Sequence, residues 1–409
     1  MTNKIILITS SFPFCPGEQF LETEIDYYNC VDLTIMPLVG HSKVRGIPDN
    51  VKVDKRLIEQ SKSVAIKYKY LLNAFLTRKL VYQEIVLSKV FSIKKLKLLF
   101  VSISKYQRFY DIFDKCFQVQ NSLNDTVVYT YWNTEATYAL QSLKKKYGYK
   151  LVSRIHGGDI YKERRPESYM PLKHLFTNDI DKIFTITESA NEYLSKTYGF
   201  KSDALEVSRL GVDDCLIVSH SSVNSKLVIA TCSFITEVKR LDRVVDALVS
   251  LSKKNPSINF EWKHIGNGSL EDKIKQYAKE KLSNIDNVKY DFLGELDNQE
   301  VYVFYKNNAV DVFVNVSESE GVPVSIMEAM SCHIPIVAPN TGGVSDMVLN
   351  EVNGILLSEE CETGEIVNAL SKIDFFKSKE IRENSYRLYL EKYNAKNNYT
   401  QFVEVLKRL

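Results

Sequence analysis

Short apolar runs alternate along this chain with segments in which apolar residues return every three to four positions. Runs of the first kind suit strands covered on both faces, and segments of the second suit helices lying on a sheet. The alternation therefore predicts parallel sheets joined by crossover helices. In the first half it predicts strands near Lys4–Thr9, Leu33–Val39, Val127–Tyr131, Leu151–Ile155, Lys182–Thr187 and Ala204–Leu210. Helical spacing falls at Glu18–Tyr28, within 51–110 and at Thr134–Lys146. Ser189 and Glu192 have the spacing of a capping box, before a helix that Gly199 closes. The polar, serine-rich stretch Asp213–Lys226 reads as a linker.

The alternation then restarts. Strands are predicted at Leu227–Cys232, Ile258–Ile265, Val288–Leu293, Val310–Val316 and Ile336–Ala338. Helices are predicted at Asp242–Lys253, Leu270–Lys281 and Asn298–Asn307, and Ser378–Leu409 reads as two helices broken around Asn394–Asn398. The fold class is α/β, with two Rossmann-like doubly wound domains at 1–215 and 226–380 and C-terminal helices at 381–409. Each sheet should carry its ligand beyond the carboxyl ends of its strands.

The 409 residues are 44% hydrophobic and 25% charged, a globular balance at two-domain length. Seven scattered cysteines without a C-x-x-C pair suit reduced thiols in a cytosol and argue against a disulfide framework or a zinc site. No apolar run approaches the roughly 20 residues that span a bilayer. A cytoplasmic protein, peripheral on the inner face of the membrane, is the expectation. Fourteen Lys and Arg against three acids make Val51–Tyr110 +11 within a chain of net +2. Tyr68, Tyr70, Leu71, Leu72, Phe75, Leu76, Phe91, Leu96 and Leu98–Phe100 are interleaved with those charges. Such a surface suits anionic headgroups or a solvated helix face, and the regional asymmetry favours the membrane. No nucleic-acid motif accompanies it. No phosphate loop of the G-x-x-x-x-G-K type and no metal-ligand cluster is found, and Asp179-Ile-Asp181 reads as a strand start.

The densest chemistry lies in Val310–Gly343. A nearly all-apolar strand runs to Ser317, an acidic loop follows to Gly321, and Pro323 stands where a first helical residue would be. A helix start presents free N–H groups to a diphosphate, and Gly321 lets the backbone come close. Glu328 lies about 7–8 Å further along the axis, suited to a ribose diol. Glu320, before the helix, would face the sugar. Taken alone, each glutamate is as well explained by the helix dipole.

The string Glu320 to Glu328 resembles the Glu-x7-Glu signature of glycosyltransferase family 4, retaining enzymes of the GT-B fold. Support comes from Ile265-Gly266-Asn-Gly268, from Phe292-Leu-Gly294-Glu295 and from the turn Gly342-Gly343-Val-Ser-Asp346. The likeness covers essentially the whole chain and is sharpest from Lys226 to Gly354. It implies two domains facing across a cleft, the first binding an acceptor and the second a nucleotide sugar, with C-terminal helices crossing back. It implies Glu320, Lys239 and His156 as catalytic groups. It places Glu328, Gly17, Gly321, Val322, Pro323, Val324, Gly266, Gly294 and Glu295 around the donor. No cofactor and no metal are expected; the partners are a nucleotide-sugar donor and a saccharide acceptor, lipid-linked. One departure stands out: the family's arginine about five residues before its lysine is Phe234 here, leaving Arg240 or Arg209 as replacements. Asn133 and Glu135 could line the acceptor groove or cap a helix. A nucleotide-sugar 2-epimerase and a non-catalytic binding subunit remain as alternative readings.

Overall fold

The computed structural model describes residues 4–15, 17–61, 70, 77–119 and 123–409. The chain divides into two compact units, one of Met1–Arg209 with Asn397–Leu409 and one of Leu210–Lys396.

In the first unit, β1 (Lys4–Thr9), β2 (Asp32–Pro37), β3 (Lys52–Val53), β4 (Thr126–Thr130), β5 (Lys150–Arg154), β6 (Lys182–Thr185) and β7 (Leu205–Val207) form one sheet. Their order is β3-β2-β1-β4-β5-β6-β7, with every pairing parallel. Strand β1 shows why the run is apolar throughout. Ile6 and Ile8 enter one core cluster with Leu140 and Leu143, while Ile5 and Leu7 enter another with Phe402, Val403 and Leu406. The second face is thus covered by the last helix, Ala395–Arg408.

The second unit repeats the plan with β8 (Lys226–Cys232), β9 (Asn259–Ile265), β10 (Val288–Phe292), β11 (Val312–Val314), β12 (Ile336–Pro339) and β13 (Gly354–Leu357). The order is β10-β9-β8-β11-β12-β13, again parallel. In each sheet the strand order reverses at one place, between β1 and β4 and between β8 and β11. The crevices that receive ligands in such sheets lie there.

Several expectations are corrected. The edge strands β3 and β13 were not foreseen. Gly354, which opens β13, has its α-carbon so close to the Ile336 carbonyl that a Cβ would meet that oxygen at 2.0 Å. The helix expected over Glu18–Tyr28 is Phe20–Ile25, because Glu18 is taken by the preceding loop. Thr187, and not Ser189, caps the helix Glu188–Tyr198, accepting from Ala190 N. The expected linker is fastened to the second unit: Ser219 N donates to Cys332 O, and Ser222 Oγ donates to Asp311 at 2.6 Å. The helix Lys379–Lys392 also stays with that unit, where Ser385 Oγ donates to Ile334 O at 2.8 Å. The partition falls at 209/210 and 396/397, against the 215 and 380 drawn from the sequence.

Within 51–110 the described helices are Arg56–Ser61, Arg78–Ser88 and Ile93–Gln118, the last continuing past the segment. Lys62, Lys67, Tyr68, Lys69, Leu71, Leu72, Phe75 and Leu76 lie outside the described residues. Phe91 and Ile93, at the junction of two of these helices, are 84% and 87% exposed. Among the described residues no helix is long and apolar enough to cross a membrane.

Candidate functional site

The parallel sheet of the second unit sends the loops after β8, β9, β10, β11 and β12 to one edge. Lys239, Gly266, Gly294, Glu295 and Glu320–Val324 all lie in those loops or, for Val324, on the helix that follows. Lys239 and Glu320 come from the two strands flanking the reversal, and their side chains meet, Nζ to Oε1, at 2.6 Å. Asn315 Nδ2 donates to the same carboxylate oxygen at 3.0 Å, and Glu318 N donates to Val238 O at 2.9 Å, which joins the two loops. Glu320 is buried, so its charge needs such partners.

The helix here spans Val324–Ser331, one residue later than expected, with Pro323, which has no side-chain acceptor, at its N-cap. Nothing stands near the space that a Cβ on Gly321 would take, and Gly343 N donates to Gly321 O at 2.7 Å. Val322 is buried. Gly342, at φ +58°, passes so close to the Glu320 carbonyl that a side chain would collide with it. Gly266 N donates to Gly294 O at 2.7 Å, and Asn267 Nδ2 to Glu295 Oε2 at 2.9 Å. A Cβ on Gly266 would meet Ser233 O at 2.1 Å. These glycines let neighbouring loops touch through backbone alone.

Glu328 lies on the helix itself. Its carboxyl is buried, and burial with the Cys215 sulfur nearby pushes its pKa up to about 8. That shift favours the protonated carboxyl near neutrality. Phe234 is 57% exposed on the loop before Lys239. Of the two arginines considered as substitutes, Arg240 shares that loop, near Glu318 at 3.8 Å. Arg209 belongs to the first unit, 3.6 Å from Glu188.

In the first unit, Gly17 follows β1 and His156 follows β5. Gly17 adopts φ +96° and its carbonyl accepts from Arg45 at 2.8 Å. Its loop is organised by Glu18, whose carboxylate accepts from Ser10 N, Ser11 N, Phe12 N and Trp132 Nε1 at 2.7–2.9 Å. The His156 ring lies among Phe20, Tyr131 and Trp132, and among the described residues neither of its nitrogens has a hydrogen-bond partner. Burial and the Arg154 charge lower its pKa to about 3, so the ring is neutral. Asp159 fixes the turn, accepting from His156 N and Asn133 N at 2.6 Å each, and Lys173 donates to the Asp159 and Asn133 carbonyls.

Asn133 is buried with both amide atoms unpartnered and makes no cap, while Glu135 accepts from Ser102 Oγ at 2.9 Å. A neutral imidazole and an amide of this kind suit sugar hydroxyls. Asp181 is a strand-start residue, accepting from Leu151 N at 2.7 Å and pairing with Lys144. Among the described residues no cluster could hold a metal ion. Asn315, Trp132, Asp159 and Lys173 were not singled out from the sequence. Only Asn315, at the end of an apolar run, offered a signal.

Residues 216–387 match the family described as Glycosyl transferases group 1. A putative colanic acid biosynthesis glycosyltransferase of Escherichia coli, WcaL, is 26% identical over 218 residues, 51% of this chain and 52% of that protein. This chain spans about half the length of the curated relatives it matches. Among solved structures, the apo lipopolysaccharide outer core galactosyltransferase WaaB superposes with a TM-score of 0.68 at 16% identity, covering 98% of both chains. Anabaena HepE in complex with UDP and glucose gives 0.64 at 17%, covering 99% of both. The fold is GT-B. The family match and the named homologues support a transferase enzyme.

Proposed function

We propose that this chain moves a glycosyl unit from a nucleoside-diphosphate sugar to a saccharide hydroxyl in surface polysaccharide biosynthesis, with retention, as a family 4 enzyme. The observation that carries this reading is the Lys239–Glu320 pair at the strand reversal, 2.6 Å across, beside a helix start with Pro323 at its N-cap. A diphosphate placed on that helix start would compete with Glu320 for the Lys239 ammonium. As the anomeric C–O bond breaks, Lys239 and the helix N–H groups would hold the charge left on the diphosphate. The acceptor oxygen would bond to the anomeric carbon on the face the diphosphate leaves, its proton passing to a diphosphate oxygen, with no side chain acting as nucleophile. His156, neutral and unpaired, would hold a sugar hydroxyl.

The homologues named for colanic acid and lipopolysaccharide assembly support this acceptor class. The basic segment 51–110, with exposed Phe91 and Ile93 beside Lys94 and Lys95, supports a lipid-linked acceptor. Two experiments test the reading. UDP-, GDP- and ADP-sugars are screened by thermal shift, where one donor at 100 times its dissociation constant should add about 2.7 kcal/mol. Donor consumption with acceptor should then disappear in Lys239→Ala and Glu320→Ala chains that remain folded. Epimerised donor formed without acceptor would replace this reading with the epimerase. Flotation with phosphatidylglycerol vesicles, weakened at least tenfold by Phe91→Asp and Ile93→Asp, tests the membrane contact.

A further inference from the structure

The sulfurs of Cys215 and Cys332 lie 3.3 Å apart. Cys332 is the buried C-cap residue of the helix Val324–Ser331, whose other end is the diphosphate seat. Cys215 is partly exposed, on the segment by which the chain enters the second unit. The Ser331 hydroxyl and carbonyl lie 3.7 and 4.0 Å from its sulfur. Among the described residues no other two cysteine sulfurs are in hydrogen-bonding contact. The hydrogen-bonding contact between the two sulfurs holds Cys215 below the ordinary thiol range, at about 7, and pushes Cys332 up. A partly exposed thiolate beside a resolving thiol is the arrangement that oxidants select. A disulfide needs the sulfurs about 2.05 Å apart, a closure of roughly 1 Å from the observed contact.

We propose that Cys215 and Cys332 form a reversible disulfide that weakens nucleotide binding by the second unit. A peroxide is the oxidant. The Cys215 thiolate attacks one peroxide oxygen, breaking the O–O bond to give a sulfenic acid and, after proton uptake, water. The Cys332 sulfur then attacks the sulfenic sulfur, losing its proton and expelling a second water as the S–S bond forms. Two thiols and one hydrogen peroxide become one disulfide and two waters. The bond fastens the entering segment to the C-terminal end of the helix that carries Glu328. The binding consequence rests on the donor site proposed above; the bond itself does not.

The full chain is treated with hydrogen peroxide, alkylated, digested and analysed by mass spectrometry. The expected result is a peptide pair joined through Cys215 and Cys332, lost on adding dithiothreitol and absent from Cys215→Ser and Cys332→Ser chains. Far-UV circular dichroism checks their folding, and Cys215→Ser, at the more exposed position, suffices if Cys332→Ser unfolds. Oxidation that stops at Cys215 sulfinic acid, or reaches only the exposed Cys30, overturns the proposal. Titration with UDP and GDP should show at least tenfold weaker binding to the linked chain than to the reduced one. Equal binding overturns the regulatory consequence. Failure of the reduced chain to bind either nucleotide would count against the transferase reading while the peptide map still decides the bond.

Discussion

At the residue scale the ion pair of the second unit sets an expectation about its own disruption. Lys239→Ala should lower kcat by roughly 10²–10³, the usual cost of removing one group that stabilises leaving charge. Glu320→Gln should behave differently. It leaves Lys239 without its 2.6 Å carboxylate partner, so calorimetry should find a nucleoside diphosphate bound at least as tightly while turnover falls. Affinity falling together with turnover would show that Glu320 mainly positions the lysine.

Glu328 gives a pH-dependent case. Its pKa is raised from 4.5 to about 8, so the folded chain binds this proton more tightly than the unfolded one. Its contribution to stability is complete below about 4.5 and is lost as pH rises through about 8. At about 1.4 kcal/mol per unit of difference, Glu328→Gln should hold its melting temperature from pH 6 to 9 while the parent chain declines. Parallel declines would mean that the carboxyl is solvated.

At the scale of elements, the loops at the strand ends are organised by carboxylates that serve backbone N–H groups. Asp159→Asn replaces the acceptor of two 2.6 Å bonds, from His156 N and Asn133 N, and should cost about 2–3 kcal/mol in a urea titration with unchanged slope. A smaller loss would show that the turn is held by Lys173 alone. This is also where the sequence is least legible. Strand β1 announces itself because both its faces are buried, and the Glu320–Glu328 string because a strand end, a glycine and a helix start fall together. Glu18 and Asp159 look, residue by residue, like acids at helix starts. Their roles appear only when Ser10–Phe12 and Trp132, or Asn133 and Lys173, have been folded around them. Strand β3, two residues long, is too short to carry a period. Cys215 and Cys332 are 117 positions apart, and nothing local marks them as neighbours.

At the scale of the whole molecule, the chain leaves the first unit at Arg209 and returns to it at Asn397. The returning residues are core: Tyr399, Phe402 and Leu406 are almost wholly buried, and Arg154, paired with Glu24 inside the sheet, stacks on Phe402 at 4.2 Å. Burying such side chains is worth about 1.5–3 kcal/mol each, so together they approach the stability of an ordinary domain. A chain ending at Lys396 should therefore lose one calorimetric transition and keep the other, at nearly its former temperature. Two surviving transitions would make the helix an ornament of the first unit.

The same return has a consequence during synthesis. The first unit leaves the ribosome with one face of its sheet, Ile5, Leu7, Leu33 and Ile35, still waiting for the helix that covers it. At about 5–20 residues per second, translation of the intervening unit takes roughly ten to forty seconds. For that interval the nascent chain presents an apolar surface that a chaperone, or a neighbouring nascent chain, is free to occupy first.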